Sequence, residues 1–145
     1  GGEIEVNFQP FDCWRIILGY SILEIETDNP SSPLGGVEAT ETYPLHQVVL
    51  RTFFDLPAGF EFDASLFWVD GLSDVVPTRF PAITQNVEQY FRLDLRIGFM
   101  PVDWVEFSLV GQNLLEERHP EFTDLQSDLS SEVPRSGYGK VTLRF

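Results

Sequence analysis

Side chains alternate between the two faces of a β-strand, so alternating runs can be split into two sets and their charges compared. Seven runs allow that split: residues 2–9, 14–26, 46–56, 60–69, 90–99, 104–113 and 136–145. One set holds Ile4, Val6, Phe8; Trp14, Ile16, Leu18, Tyr20, Ile22; Val48, Leu50, Thr52, Phe54; Phe60, Phe62, Ala64, Leu66, Trp68; Phe91, Leu93, Leu95, Ile97, Phe99; Val105, Phe107, Leu109; and Val141, Leu143, Phe145. None of these is charged. The other set holds thirteen charges: Glu3, Glu5, Arg15, Arg51, Asp55, Glu61, Asp63, Arg92, Asp94, Arg96, Glu106, Lys140 and Arg144. Gly19, Ser21, Ser65, Gly98 and Ser108 lie between them. A chain patterned this way is expected to be all-β, with one sheet face free of charge.

The connections between runs are of two kinds that take turns. Residues 10–13, 57–59 and 100–103 are tight and hold Pro, Gly or Asp, as hairpin turns do. Residues 27–45, 70–89 and 114–135 are long and rich in Pro, Ser, Gly and acids. Loops beyond about 12 to 15 residues are uncommon in compact soluble domains, and here all three fall at one end of the sheet. Transmembrane barrels have that asymmetry, with short periplasmic turns and long extracellular loops. The spacing of roughly 45 residues between short turns also resembles a propeller repeat. A blade needs four strands, however, and each period here holds two.

Composition narrows the function. The chain has 145 residues, 43% of them apolar, 13 Phe and 3 Trp, which is too hydrophobic for a disordered tail and favours strands. A net charge of −14 excludes binding to a nucleic-acid backbone through clustered Lys and Arg. No stretch reaches the roughly 18 to 20 apolar residues of a membrane helix. Cys13 is the single cysteine, so no intramolecular disulfide forms, and a buried or turn thiol is expected. The chain opens on Gly1-Gly2 without an export signal, which is expected to lie upstream or to have been removed.

Two architectures remain open. In a membrane barrel the charge-free face meets lipid, where an Arg or Lys costs roughly 2–4 kcal/mol at mid-depth. In a soluble β-sandwich or lipocalin-like binding module the same face would point inward. Periodicity alone does not separate them. Two details favour the membrane. Phe8, Trp14, Phe54, Phe60, Phe99 and Phe145 gather near the short turns, as an interfacial girdle would. The charged face mixes both signs with small residues, including Arg92, Asp94 and Arg96 in sequence, which suits a crowded lumen.

From Trp14 onward the chain resembles the C-terminal barrel region of TonB-dependent receptors, the outer-membrane importers of ferric siderophores, cobalamin and some sugars. The resemblance rests on WRIILGYS (14–21), LPAGFEFDASLFWVD (56–70), RLDLRIGFMP (92–101), VEFSLVGQNLLEERHPEF (105–122) and VPRSGYGKVTLRF (133–145). Its most specific part is Gly111-Gln112-Asn113-Leu114-Leu115, followed by a long connection and a last strand ending in Phe145. The resemblance implies an antiparallel up-and-down barrel in the outer membrane of a Gram-negative bacterium. It also implies that the barrel-assembly machinery reads Phe145, Leu143 and Val141; Gly139 and Gly137 depart from the larger residues usual there. Implied partners are outer-membrane lipid and lipopolysaccharide, a small nutrient chelate, and the TonB energy-coupling system through a plug. The plug and the earlier strands have no counterpart in these residues. Single-chain bacterial barrels have even strand numbers, reaching 22 in plugged transporters. Residues 1–145 are therefore expected to be the C-terminal part of a longer barrel.

No chemistry stands out. His46 and His119 lack the neighbours of a metal site, and a loop or lumen position is expected for each. No G-x-S-x-G elbow supports acyl transfer. No catalytic residue, metal site or cofactor is expected. The charged face nearly balances, with seven acids against six bases, whereas the long connections and their edges hold fourteen acids against Arg79, Arg118 and Arg135. Such loops could bridge divalent cations to lipopolysaccharide or attract a cationic ligand, although a solvated acidic surface explains them as well. Tyr43, Phe80 and Phe122 are candidates for stacking on a ligand.

Overall fold

The computed structural model describes the backbone of residues 1–24, 44–76, 83–124 and 129–145; side chains within 72–87 and 118–131 lie outside the description. Eleven strands are present among these residues. They are β1 (Gly2–Phe11), β2 (Trp14–Ile22), β3 (His46–Leu56), β4 (Phe60–Val69), β5 (Leu72–Val76), β6 (Ile83–Val87), β7 (Tyr90–Val102), β8 (Val105–Gln112), β9 (Arg118–Asp124), β10 (Leu129–Pro134) and β11 (Ser136–Leu143). Seven of them form one antiparallel sheet in the order β1-β2-β3-β4-β7-β8-β11. No α-helix occurs among the described residues.

Register decides which face each residue occupies, because directly paired residues point the same way. Ile4 pairs with Tyr20 and Leu18 with Leu50. Leu50 pairs with Leu66, and Leu66 with Leu93. Ile97 pairs with Leu109, and Phe107 with Val141. The charge-free set thus lies on one side across all seven strands. Opposite it, Asp63 pairs with Arg96, Ser65 with Asp94, and Glu106 with Thr142.

Two of the three short connections are tighter than their sequence limits. β1 runs on to Phe11 through a register shift between Phe8 and Phe11, which leaves Asp12 and Cys13 as the turn. β7 extends to Val102 through a second shift, leaving Asp103 and Trp104. The link from β3 to β4 is a 3-10 turn over Pro57–Gly59, in which Ala58 and Gly59 have φ of 63° and 77°. Gly59 is required there on two counts: its φ is left-handed, and a Cβ would overlap the Met100 carbonyl.

The long connections require correction. Two of them carry strands of their own, in the two-stranded sheets β5–β6 and β9–β10. β2 ends at Ile22, whereas the alternation suggested continuation to residue 26, which lies outside the described residues. β11 ends at Leu143, two residues short of the chain end, although the Arg144 amide still donates to the Trp104 carbonyl at 2.9 Å.

β8 ends through Asn113, whose φ of 53° turns the chain out of the sheet. Asn tolerates this region better than most side chains. Its amide N–H donates to Asp94 Oδ1 at 3.0 Å, and its Nδ2 donates to the Val133 carbonyl at 2.8 Å. The next amide, Leu114, donates to the Leu93 carbonyl at 2.9 Å. Asn113 is fully buried and binds the end of β8 to β7 and β10.

Candidate functional site

The sheet itself is the candidate site, and its two faces differ in chemistry. The charge-free face is uncovered. Ile4, Val6, Phe8, Ile97, Leu109, Val141 and Leu143 are each more than half exposed, and among the described residues Val105 is the only buried apolar side chain. A soluble sandwich would bury this face against a second layer, and no described strand packs over it. The apolar residues of the opposite face, Ile17, Val49, Phe53, Phe67 and Val110, are only partly exposed.

Aromatic residues concentrate at the short-turn end of the charge-free face. Phe11 stacks on Trp14 with centroids 6.2 Å apart, Trp14 on Phe54 at 5.1 Å, and Phe60 on Phe99 at 4.5 Å. The register explains these contacts, since Trp14 pairs with Phe54 and Phe60 with Phe99. The Trp14 indole N–H donates to Thr52 Oγ1 at 2.8 Å, so its polar edge is satisfied without water. Trp104, in the turn between β7 and β8, and Phe145 extend this aromatic margin in exposed positions.

The charged face is tied together across strands. Arg96 on β7 reaches Asp63 at 2.7 Å and Glu61 at 2.8 Å on β4, and Glu106 at 2.6 Å on β8. Arg144 adds a second cation to Glu106 at 2.7 Å. Arg92 pairs with Asp94 at 2.7 Å and lies over the Phe67 ring, while Arg15 lies over Phe53. One guanidinium with its fork of donors thus serves three carboxylates on two neighbouring strands. The row of mixed charge read in the sequence forms a bonded layer. Its cross-strand partners could not be assigned before the register was known.

His46 departs from the expected loop or lumen position. It opens β3 on the charge-free side, paired with Ile22, and its Nδ1 lies 2.9 Å from the Tyr20 hydroxyl, with the two rings stacked. A ring that shares its polar atom with Tyr20 suits the margin of an apolar face. The His119 side chain lies outside the described residues, as do Tyr43, Phe80 and Phe122. Cys13 is an exposed turn thiol. Among the described residues no group of three or more His, Cys, Asp or Glu could hold a metal ion. Of the last-strand set, Val141 pairs with Phe107 and Leu143 with Val105 on the charge-free face, and Phe145 follows beyond the last pair, fully exposed.

An uncovered apolar face, an aromatic margin at the short turns and an ion-paired opposite face together describe the wall of an outer-membrane type of barrel. Solved structures have the same fold. The ferric-catecholate import receptor Fiu from K12 E. coli, in its closed form, superposes with a TM-score of 0.75 at 16% identity, covering 96% of this chain and 20% of that one. FpvAI, in its complex with pyocin S2, superposes with a TM-score of 0.75 at 18% identity, covering 97% and 18%. Both are TonB-dependent receptors, and the fold of this chain is that of part of such a receptor's barrel. The chain spans about a fifth of the length of these structures. No protein-family model and no curated protein matches it.

Arg96 and Arg144 give the charged face a direct test. Arg96→Met would leave Glu61 and Asp63 without their cation, whereas Arg144, half exposed, serves Glu106 alone among the carboxylates. In the full-length protein folded in detergent, Arg96→Met is expected to cost about 1–3 kcal/mol in urea unfolding. Arg144→Met is expected to cost under about 1 kcal/mol. Equal losses would mean that the layer is not organised around Arg96.

Proposed function

We propose that residues 1–145 are the C-terminal part of the barrel of a TonB-dependent importer in the outer membrane of a Gram-negative bacterium. The observation that carries this reading is the charge-free face, continuous across seven paired strands and uncovered. Those strands have 10, 9, 11, 10, 13, 8 and 8 residues, which brackets the roughly 9–11 that a tilted membrane strand needs. The aromatic margin lies at the periplasmic interface, and the long connections face outward. The function is physical, not chemical: this segment supplies wall, lumen lining and outer loops for uptake, and no step of catalysis is assigned to it.

The cargo is a ferric siderophore or a similarly scarce nutrient such as cobalamin. The likeness to a ferric-catecholate import receptor supports that class. The transport assignment therefore rests on fold analogy, and the wall assignment on these residues. Energy coupling to TonB, through a plug, belongs to the receptor as a whole. The acidic outer connections suit cation-bridged contact with lipopolysaccharide. Phe145, Leu143 and Val141 form the signal read by the barrel-assembly machinery, a role favoured by the alternation of Val141 and Leu143 on the outward face of β11.

Neighbouring residues on β4 test the orientation. In the full-length receptor, Leu66→Arg would place a charge in lipid, at a cost of roughly 2–4 kcal/mol near mid-depth, and is expected to lower outer-membrane levels severalfold. Ser65→Arg points into the lumen beside Asp94, its pairing partner, and is expected to leave levels near wild type. Comparable loss from Ser65→Arg alone would reverse the faces. Deleting Phe145 is expected to slow the appearance of the heat-modifiable folded band in pulse-labelled cells while synthesis continues. Unchanged kinetics would reduce Phe145 to an interfacial anchor.

A further inference from the structure

Not every arginine of the charged face joins its ion-paired layer. Arg15 and Arg51 are both exposed, and among the described residues neither has an ion-pair partner. Carboxylates are at hand, but Glu61 and Asp63 turn to Arg96, and Asp94 holds Arg92. Pairing among the wall's own charges leaves these two guanidinium groups over.

Their setting is aromatic. Arg15 lies over the ring of Phe53, its pairing partner, at 4.6 Å from the centroid. Arg51 stands two residues from Phe53 on β3 and pairs with Ser65, which is two residues from Phe67 on β4. Long side chains reach neighbours placed diagonally in this way. Arg92 covers Phe67 at 5.3 Å, and both Asp94 oxygens hold it there. Phe67, Arg51, Phe53 and Arg15 thus alternate ring and cation along a diagonal across β4, β3 and β2. Phe67 lies near the long-connection end, Arg51 in mid-strand and Arg15 beside the short turn. The steps from Phe67 to Arg51 and from Arg51 to Phe53 each advance two residues, about 7 Å along a strand. All three strands are paired on both sides, so the band is complete within these residues.

Two hollows follow the band on the lumen side. The upper, of about 260 Å³, is lined by Arg51 and Phe67, and the lower, of about 300 Å³, by Arg15 and Phe53. Acids lie beside each cation, Glu3 and Glu5 above and Asp12, Asp55, Glu61 and Asp63 below. A path through a lumen needs attraction at every step and no step that holds too firmly. The arginines supply the first condition for an anion, and the neighbouring acids supply the second. A guanidinium takes carboxylate-like oxygens in pairs and stacks on aromatic planes, and Phe53 and Phe67 offer rings to the same planes.

We propose that Phe67, Arg51, Phe53 and Arg15 form a track on the lumen wall, along which an anionic metal chelate built on aromatic rings passes from the outer end to the short-turn end. The inference rests on the importer reading above and narrows its cargo. A cationic or uncharged chelate would gain nothing from either guanidinium.

The test uses the full-length receptor in cells without receptors of their own for three labelled probes: a trianionic ferric tris-catecholate, a cationic ferric trihydroxamate and uncharged cobalamin. Surface binding is read in de-energised cells and uptake in energised cells, both per heat-modifiable receptor. Wild type is expected to take up the tris-catecholate alone. Arg51→Gln and Arg15→Gln are each expected to lower its maximal uptake rate at least fivefold while surface binding stays within twofold. Lys140→Gln, on the same face outside the track, is expected to match wild type. A fluorophore at Ser65→Cys, beside Arg51 in a Cys13→Ser background, is expected to be quenched by the ferric probe during uptake. Wild-type rates in either arginine variant, equal loss in Lys140→Gln, loss of surface binding in step with uptake, or no quenching at position 65 would each overturn the track. Uptake of either other probe, or of none, overturns the cargo class. Uptake of the tris-catecholate that persists without TonB contradicts the importer reading, whereas TonB-dependent uptake of another probe contradicts only the track.

Discussion

Everything in this sheet depends on an antiparallel register that stays in step through the middle of all seven strands. A strand's side chains have a period of two, so a slip of one residue exchanges its faces. In β7 a slip would carry Arg92, Asp94 and Arg96 to the apolar side and withdraw Leu93, Leu95 and Ile97 from it. In lipid that exchange would cost roughly 2–4 kcal/mol for each Arg at mid-depth. It would also break the contacts of Arg96 with Glu61, Asp63 and Glu106. The apolar face and the ion-paired face therefore specify the same register from opposite sides.

The irregular positions serve that register. Shifts in β1 and β7 let the strands run further toward their turns while the central pairing stays in step. Gly59 permits a three-residue link that keeps Leu56 opposite Phe60. Asn113 closes β8 with a left-handed residue, and its bonds to Asp94 and Val133 tie the charged face to the outer connection. A buried Asn bonded in this way gives the stretch Gly111–Leu115 a structural role, beyond its value as a mark of resemblance.

Much of this was legible in the sequence, for one physical reason: the alternation is strict wherever a face must stay free of charge. The central strands β3, β4 and β7 begin where the alternation begins, and the face of each residue follows from parity. Legibility fails where that constraint lapses. The strands β5, β6, β9 and β10 lie outside the main sheet, and prolines such as Pro120 and Pro134 mask them because proline is poorly suited to strand pairing. The hub at Arg96 was hidden because its partners lie on other strands. The role of Asn113 was hidden because nothing local marks a buried polar side chain, although Asn beside a glycine-containing strand end is a sign of left-handed backbone.

The central claim is that the charge-free face meets lipid, and accessibility along β7 measures it directly. Single cysteines at positions 91 to 99 of the full-length receptor, in a Cys13→Ser background, would be spin-labelled in lipid vesicles. Their collisions with oxygen, which partitions into lipid, would then be compared with those of a water-soluble nickel chelate. Phe91, Leu93, Leu95, Ile97 and Phe99 are expected to favour oxygen and Arg92, Asp94 and Arg96 to disfavour it, with a period of two residues. The opposite phase, or no two-residue period, would contradict the assignment of this sheet as a membrane wall.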